Sequence, residues 1–331
     1  MADVKVAAIQ LEPEFGDVAE NLRRCELLAD EAAREGAEWI VLPEFFTTGM
    51  AFLERIADGA LPPDGAATQL MLALARRHGV AVGGSFICRD ADGHNRNAFV
   101  LVDANGVRGR HDKDLPTMFE NCFYREGADD GVIVSGELSV GVAMCWELMR
   151  TQTARRLRGR VDLLVGGSAW WSVPAWPPRA LMRRFEALNA ANADAAPATM
   201  ARLVGAPIVH ASHCGGIESP TPALPVPYRG RFEGATVICD ANGNTLGRRD
   251  TREGAGVVVA DVVPGRTSPT EEVPDRYWLH RRGAVPAAAW AFQREHGRRW
   301  YRRHALGRPV AEVENAGVAQ PGSAPRAGAP R

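Results

Sequence analysis

Three short segments, far apart in the chain, carry side chains that together could perform nucleophilic catalysis. They are residues 41–44 (Val-Leu-Pro-Glu), 111–116 (His-Asp-Lys-Asp-Leu-Pro) and 142–147 (Val-Ala-Met-Cys-Trp-Glu). Each contains or follows the end of an apolar run, so each reactive side chain is expected at a strand end or in the loop after it, where catalytic groups are commonly mounted. The pattern predicts that a carboxylate, an ammonium and a thiol share one rim of a sheet.

These three groups suit acyl transfer through a cysteine. A free thiol is only a few per cent ionised at neutral pH, so a cysteine nucleophile needs a nearby base or cation. Glu44 could take the proton of Cys145 and later activate water. Lys113, with the backbone amide of Trp146 as a second donor, could stabilise the anion that forms when a carbonyl or nitrile carbon is attacked.

The other cysteines and the histidines give weaker signals. Six cysteines are scattered without paired or metal-type spacing, so apart from Cys145 we expect buried, reduced thiols and no metal site. A Cys-His pair is the alternative to the Glu-Lys-Cys set. Its histidine would come from residues without a matching sequence context, namely His111, His210 and His213.

Composition narrows the class of protein. The 331 residues contain no internal linker rich in Ser, Gly or Pro, which favours one large core. With 39 basic and 40 acidic residues, the net charge gives no sign of a nucleic-acid or acidic-membrane partner, and the expected ligand is a small molecule. The N-terminus runs into a strand pattern without a signal-peptide layout, and no apolar stretch is long enough for a membrane helix, so we expect a cytoplasmic protein.

Strand patterns alternate with helical ones along most of the chain. A helix is predicted over residues 18–34, with Asp17 as its cap and Gly36 at its end. Two hairpins are predicted at Asn105-Gly106 and Asn242-Gly243, and the lysine segment directly follows the first. Two β-rich halves that share helices favour an α/β fold of two packed sheets flanked by helices. No glycine-rich phosphate motif follows a strand, which argues against nucleotide binding.

The last part of the chain has a different character. Residues 1–265 are predicted to form the main domain, residues 266–309 an arm that contacts another subunit, and residues 310–331 a disordered tail. Arginines and aromatic residues alternate in the arm, a pattern also seen in nucleic-acid-binding segments. The balanced total charge favours a subunit contact with buried rings and guanidinium groups at its rim.

The three segments resemble the motifs of the nitrilase, or carbon–nitrogen hydrolase, superfamily in order and spacing, over about residues 4–262. The resemblance implies a four-layer αββα sandwich that dimerises to αββααββα. It implies Glu44, Lys113 and Cys145 as the catalytic set, with neither a metal nor an organic cofactor. It also implies a second glutamate near the lysine. Residues 116–120 (Pro-Thr-Met-Phe-Glu) resemble the segment that carries it in nitrilases, so Glu120 is the candidate and Glu126 the weaker one.

The branch of the family is less clear from the sequence. Cys-Trp-Glu and Pro-Thr-x-x-Glu resemble nitrilases, but residues 202–215, 234–240 and 254–261 look more like amidases and carbamoylases, and Asp114 stands where many nitrilases have an apolar residue. We therefore expect hydrolysis of a small linear amide or carbamoyl compound, with a nitrilase as the first alternative, an acyltransferase as the second, and a non-catalytic member of the fold disfavoured by the intact Glu-Lys-Cys set.

The expected substrate contacts come from residues close to the three segments. Aromatic rings suit a flat or apolar acyl group, and those expected to line its pocket are Phe123, Trp170 and Trp171. Glu147 either meets the substrate or orients the loop of the nucleophile.

Overall fold

Strands and helices alternate in the computed structural model, which describes residues 2–234, 236–280 and 284–313. The first helix begins as predicted, because the Asp17 side chain accepts a hydrogen bond from the backbone N–H of Glu20 at 3.0 Å. Gly36 follows the helix with a φ of +87°, a conformation that suits glycine. The helices are α1 (Val18–Arg34), α2 (Glu54–Asp58), α3 (Ala66–His78), α4 (Thr151–Leu157), α5 (Arg179–Val204) and α6 (Ala284–Trp300).

Twelve of the described strands form one sheet that has two halves, and the other two form a separate hairpin. The strands are β1 (Val4–Leu11), β2 (Trp39–Val41), β3 (Ala81–Arg89), β4 (Asn95–Asp103), β5 (Gly106–Asp112), β6 (Val132–Ser135), β7 (Leu138–Val142), β8 (Leu163–Ser168), β9 (Ile208–His213), β10 (Gly216–Thr221), β11 (Leu224–Arg231), β12 (Thr236–Cys239), β13 (Thr245–Arg249) and β14 (Gly256–Val262). One half, called the first sheet, runs β5-β4-β3-β2-β1-β14, and the other half, called the second sheet, runs β6-β7-β8-β9-β12-β13. The hairpin β10-β11 is a two-stranded sheet of its own.

The two sheets are joined at one short seam. The ends of β1 and β9 pair in parallel through Gln10 with Ser212 and Leu11 with His213. At the opposite side, the edge strands β5 and β6 contact each other. The result is a nearly closed sheet whose two halves pack face to face, so the side chains that point inward form a shared core.

Apolar side chains fill three layers, as expected for an αββα sandwich. The middle layer lies between the sheets and includes Val41, Leu101, Val142, Val165 and Val209. Helices α1 and α3 cover the outer face of the first sheet through an apolar cluster of their own, and helices α4 and α5 cover the second sheet in the same way. The predicted four-layer fold is confirmed, whereas dimerisation stays a prediction.

Two local elements are absent from the sequence prediction. Strand β7 ends at Val142, and helix α4 begins at Thr151. A short 3-10 turn, Cys145–Met149, occupies the space between them. The hairpin β10-β11 was not predicted, because four prolines in and beside its strands give the sequence the character of a loop.

The C-terminal arm folds back onto its own chain. Helix α6 packs on a second 3-10 turn, Met118–Cys122, and the Tyr301 hydroxyl accepts a hydrogen bond from the backbone N–H of Asn95 at 2.9 Å. A contact of residues 266–309 with another subunit stays a prediction. Most of the tail predicted to be disordered, residues 314–331, lies outside the described residues, while Ala311 donates a backbone hydrogen bond to Ala60. None of the described helices is long and apolar enough to cross a membrane; the cytoplasmic location stays a prediction.

Candidate active site

Three strand ends bring the predicted reactive side chains to one place. Glu44 lies just after β2, Lys113 just after β5 and Cys145 just after β7. The strand β8 runs beside them and carries two adjacent glycines. A Cβ on Gly167 would lie 2.6 Å from the backbone nitrogen of Glu44, and one on Gly166 would lie 2.0 Å from the carbonyl oxygen of Ala143. Because only glycine permits such close approach, β8 lets these backbones converge.

Glu44 is held by three donors and is buried. Its Oε1 accepts hydrogen bonds from Lys113 Nζ at 2.8 Å and from Asn97 Nδ2 at 2.9 Å, while its Oε2 accepts one from the backbone N–H of Ala169 at 2.9 Å. His213 Nε2 donates to the Glu44 carbonyl oxygen at 2.6 Å and so fixes the backbone as well. The carboxylate therefore has one orientation.

Lys113 connects the two glutamates. Its ammonium donates to Glu120 Oε2 at 2.8 Å, the same distance as to Glu44. Glu120 Oε2 also accepts from the backbone N–H of Thr117 at 2.8 Å and from the hydroxyl of Tyr124. No described residue donates to Glu120 Oε1, although this atom is buried. One carboxylate oxygen beside the ammonium is thus left with its acceptor capacity unused.

Cys145 opens the 3-10 turn after β7 in an unusual conformation. Its φ is +48°, which is uncommon for a residue other than glycine and costs energy unless the surroundings hold it. The thiol is fully buried. The Sγ atom and carboxylate oxygens of Glu44 and Glu120 lie within 4.8 Å of one another, so nucleophile and base candidates are within reach of a common substrate atom.

Burial and neighbouring charges set the protonation of the cluster. Burial, reinforced by the Glu120 carboxylate and opposed by Lys113, raises the pKa of Glu44 to about 7. Burial and the Glu44 carboxylate hold the pKa of the Cys145 thiol well above its ordinary value. Burial alone would lower the pKa of Lys113, but the Glu120 and Glu44 carboxylates outweigh it and keep that pKa well above its usual range. The resting site therefore contains a thiol and an ammonium.

The same atoms could be considered as a metal site. Glu44, Glu120 and Cys145 offer three ligand atoms close together. However, the Lys113 ammonium already lies 2.8 Å from an oxygen of each carboxylate and offsets part of their negative charge. A divalent cation bound to those oxygens would lie beside this ammonium and be repelled by it, so the donor set does not fit a metal.

The aromatic residues predicted to line the pocket lie in two clusters around this site. Phe123 is fully buried, and Trp300 of α6 packs edge-on against it with ring centroids 5.5 Å apart. Trp171 is half-buried and packs on Phe119 with centroids 4.4 Å apart. Trp170 is buried among the residues that pack around Cys145 and donates its indole N–H to Asn189.

Trp146 and Glu147, which follow the cysteine, face different surroundings. The Trp146 ring stacks on Trp290 of α6, with centroids 5.4 Å apart and planes 10° apart. Glu147 is fully buried, and both of its carboxylate oxygens lie 3.2 Å from His111 Nε2. Its other described hydrogen-bond partners are Arg156 of α4 and the backbone N–H groups of Asp114 and Met144.

The three histidines of the alternative Cys-His arrangement have other described partners. His111 lies between Asp129 and Glu147. His210 bonds to the Ser168 hydroxyl, and burial lowers its pKa to about 3. His213 bonds to the Glu44 carbonyl. Among the described hydrogen bonds, none joins a histidine to Cys145.

Two residues at the site were not singled out from the sequence. Asn97 donates to Glu44 from the third position of β4, and Tyr124 donates to Glu120. The sequence does not single out Asn97, because it follows two other polar residues, Asn95 and Arg96, at the start of the strand. Tyr124 stands in a segment that resembles the family, but only the fold places its hydroxyl against the carboxylate.

Comparisons with known proteins agree with this geometry. The model of the carbon–nitrogen hydrolase family matches residues 5–272. A nitrilase from Pyrococcus abyssi is 32% identical over 159 residues, which are 46% of this chain and 60% of that protein. An aliphatic nitrilase from Rhodococcus rhodochrous is 32% identical over 45% of each chain. An (R)-stereoselective amidase from a Pseudomonas species is 27% identical over 46% of this chain and 56% of that protein. The chain spans about half the length of the curated relatives it matches.

Solved structures share the fold at low sequence identity. The carbon–nitrogen hydrolase from Helicobacter pylori G27 aligns with a TM-score of 0.63 and 17% identity over 79% of this chain and 89% of that one. A mutant amidase from Nesterenkonia sp. AN1, with the acetamide moiety of fluoroacetamide on its active-site cysteine, aligns with a TM-score of 0.61 and 19% identity over 78% and 90%. Because the identity is this low, the likeness concerns the fold alone.

Proposed function

Since this chain belongs to the carbon–nitrogen hydrolase family, we propose that it hydrolyses the C–N bond of a small linear amide or carbamoyl compound through an acyl-enzyme on Cys145. The observation that carries the choice of an amide is the unused acceptor at Glu120 Oε1. An amide or carbamoyl nitrogen has N–H groups that can donate to this oxygen, whereas a nitrile nitrogen has none. A buried acceptor without a donor is costly, so a substrate that supplies one binds better.

The first step is attack of the Cys145 sulfur on the carbonyl carbon. The C–S bond forms as the thiol proton moves to Glu44, which is why a base with a raised pKa is useful here. The carbonyl oxygen gains the negative charge. A lysine ammonium has three N–H donors, and Lys113 uses two of them on Glu44 and Glu120. The third is available to the developing oxyanion, with the Trp146 backbone amide as the proposed second donor.

The second step breaks the C–N bond and restores the enzyme. Glu44 gives its proton to the leaving nitrogen, so ammonia or an amine departs and a thioester remains on Cys145. Water then attacks the thioester carbon as Glu44 takes a proton from it. The acid leaves, and the sulfur regains a proton. Every proton transfer uses one carboxyl group, whose three hydrogen bonds keep it in place throughout.

The acyl group is proposed to face the aromatic residues near the cysteine. Trp170 lies in the apolar cluster that contains Cys145. Phe123 lies in a second apolar cluster, together with Cys122 of the turn that carries Glu120, and Trp171 packs against that cluster. Rings offer a flat apolar surface that favours planar or apolar acyl groups over charged ones. Net charge near zero and a buried site agree with an uncharged small substrate.

A nitrile is the second candidate substrate. It is supported by the two relatives described above as nitrilases, each 32% identical to this chain. The same Cys145 attack on a nitrile carbon would give a thioimidate and then an acid plus ammonia. The Glu120 oxygen would find its donor only after the nitrile nitrogen has taken up a proton.

The test uses matched compounds that share one acyl group. Phenylacetamide, its N-carbamoyl derivative and phenylacetonitrile are each incubated with the wild type, Cys145→Ala and the control Cys25→Ala, whose thiol lies in the α1 layer. Intact mass is followed together with the released products: phenylacetic acid from all three compounds, ammonia from the amide and the nitrile, and urea from the N-carbamoyl derivative. We expect phenylacetic acid and an acyl adduct from an amide-type compound with the wild type and Cys25→Ala, and neither with Cys145→Ala. Faster turnover of the nitrile would favour the second candidate, and equal behaviour of all three proteins would overturn the cysteine mechanism.

A further inference from the structure

A buried set of charges lies behind the catalytic cluster and links two of its loops. Lys113 and Cys145 belong to different loops, after β5 and after β7. Three side chains connect these loops: Asp129, His111 and Glu147. His111 and Glu147 are fully buried. Their hydrogen bonds end on backbone groups next to the lysine and next to the cysteine.

The backbone is held on both sides of Lys113. The N–H of Asp112, the residue before the lysine, donates to Asp129 Oδ2 at 2.8 Å. The N–H of Asp114, the residue after it, donates to Glu147 Oε1 at 3.1 Å. Two carboxylates thus bracket the lysine, which restricts where its side chain can begin.

Glu147 also holds the residue before Cys145. Its Oε2 accepts from the backbone N–H of Met144 at 2.9 Å, and its own backbone N–H donates to the Met144 carbonyl at 2.9 Å. This reciprocal pair closes the turn in which Cys145 has its φ of +48°. One carboxylate therefore fixes both the lysine loop and the nucleophile turn.

His111 joins the two carboxylates. Its Nδ1 lies 2.5 Å from Asp129 Oδ1, and its Nε2 lies 3.2 Å from both oxygens of Glu147. Arg156 adds a second, longer contact to Glu147 at 3.4 Å. Burial alone would lower the pKa of His111, but the Glu147 and Asp129 carboxylates raise it to about 9, so the ring is a cation at neutral pH. Moving either loop would break a charge-assisted hydrogen bond to this cation, so the separation of the two loops resists change.

We propose that Asp129, His111 and Glu147 are positioning residues of the reaction, and that they set the separation between the Lys113 ammonium and the Cys145 thiol. The proposal rests on the proposed function. It also assigns Glu147 to the loop rather than to the substrate, since both of its oxygens are occupied by backbone N–H groups and His111.

Substitution of these residues should affect turnover more than substrate binding. A glutamine at position 147 keeps one acceptor oxygen, so one of the two backbone N–H groups, of Asp114 or of Met144, loses its partner. A displacement of the reacting groups by about 1 Å can cost about a hundredfold in rate. We expect Glu147→Gln to lower kcat by about ten- to a hundredfold, with KM changed by less than about threefold.

Two neighbouring aspartates give a matched pair. Asp129→Asn weakens the contacts to His111 and Asp112, whereas Asp130→Asn changes the next residue, which pairs with Arg160 at the surface. We expect lower kcat for Asp129→Asn and kcat close to wild type for Asp130→Asn. His111→Gln, which removes the cation and keeps both carboxylates, serves as a second probe if Glu147→Gln does not fold. A raised KM with unchanged kcat would instead identify Glu147 as a substrate contact and overturn the proposal.

A measurement without turnover separates this proposal from the proposed function. Iodoacetamide forms a C–S bond with Cys145 as its C–I bond breaks, iodide leaves, and the thiol proton goes to Glu44. The rate of this modification, read by intact mass and peptide mapping, should fall at least about tenfold in Glu147→Gln and Asp129→Asn but not in Asp130→Asn. If no amide or nitrile is hydrolysed, this difference still supports the positioning role. Equal modification rates in all variants would overturn it.

Discussion

Two short 3-10 turns, Met118–Cys122 and Cys145–Met149, are built in the same way but serve different ends. Each begins at a residue with a φ of +48°, and in each the glutamate at the third position accepts a hydrogen bond from the backbone N–H of the residue before the turn. The remaining partners differ. Glu120 contacts the Lys113 ammonium and the Tyr124 hydroxyl, whereas Glu147 contacts His111 and a second backbone amide.

The difference shows that the turn fixes where a carboxylate points but not what it does. In the first turn, one oxygen of Glu120 has no described donor, and a carboxylate oxygen of this residue lies within 4.8 Å of Cys145 Sγ. In the second, the protein itself uses both oxygens of Glu147. An unused acceptor is available to a substrate, while a saturated one can only hold structure. The predictions below test this contrast.

The largest effect is expected from Glu120→Gln. This change removes a negative charge 2.8 Å from the Lys113 ammonium and places an N–H donor near Lys113 and Tyr124, which are donors themselves. We expect kcat/KM to fall by about a hundred- to a thousandfold, as for loss of a group that orients an oxyanion donor. Steady-state kinetics with the best amide substrate measures it.

The matched change in the other turn sharpens this prediction. Glu120→Gln should raise KM as well as lower kcat, because the unused oxygen is the proposed acceptor of the substrate N–H. Glu147→Gln should lower kcat alone. If kcat and KM change in the same way in both variants, the two glutamates do not have the different roles that their partners indicate.

The next prediction concerns the stability of the contact between helix α6 and the first turn, Met118–Cys122. A Cβ on Gly297 would lie 2.6 Å from the Cβ of Asn121. In an open helix, Gly→Ala stabilises by about 1 kcal/mol, but here it forces the helix away from the turn. We expect Gly297→Ala to lower the free energy of unfolding by about 1–3 kcal/mol, measured by denaturant titration.

A double-mutant cycle identifies the source of that loss. In the Asn121→Gly background the nearest obstructing atom is gone, so Gly297→Ala should cost less than it does in the wild-type chain. An equal cost in both backgrounds would show that the helix, rather than its contact with the turn, is the origin.

The sequence was sufficient for the layers of the fold because those depend on local patterns. Alternating strands, the Asp17 cap and the two Asn-Gly hairpins are short-range signals, and each segment with a reactive side chain ends a strand. The sequence also shows the residue types and spacings of the candidate catalytic residues, which are Glu44, Lys113, Glu120 and Cys145. The strand-end positions of Glu44, Lys113 and Cys145 predict a shared rim. The structure joins Lys113 to both glutamates by hydrogen bonds and places Cys145 Sγ within 4.8 Å of a carboxylate oxygen of each.

What the sequence could not supply is the set of long-range partners. Asn97 reaches Glu44 across 53 positions of the chain, and Glu147 reaches His111 across 36. No periodicity records which distant donor meets a buried carboxylate. For the same reason, the two glutamates could not be told apart by their local turns, and only their partners separate them.

A smaller effect comes from the backbone of the two turns. Left-handed φ values cost a residue with a Cβ about 1–2 kcal/mol relative to glycine. Cys145→Gly and Cys145→Ala both remove the thiol, so the difference between their free energies of unfolding isolates this cost. We expect the glycine variant to be more stable by about 1 kcal/mol, and the same sign for Met118→Gly over Met118→Ala. If alanine is equal or better at both positions, neither turn is strained.

The smallest expected effect is a displacement of the acid limb of the pH profile. Glu44 must be ionised to take the thiol proton, and burial raises its pKa to about 7, so kcat/KM should fall as the pH drops below that value. The Glu120 carboxylate contributes to this raised pKa, because a like charge disfavours ionisation of Glu44. Glu120→Gln should therefore move the acid limb of the kcat/KM profile to lower pH.

The control is His111→Gln, which changes the hydrogen bonds around Glu147 in the second turn. These residues have no described contact with the Glu44 carboxylate, so the variant should lower kcat without moving the acid limb. A shift in both variants, or in neither, would show that the protonation of Glu44 does not distinguish the two turns.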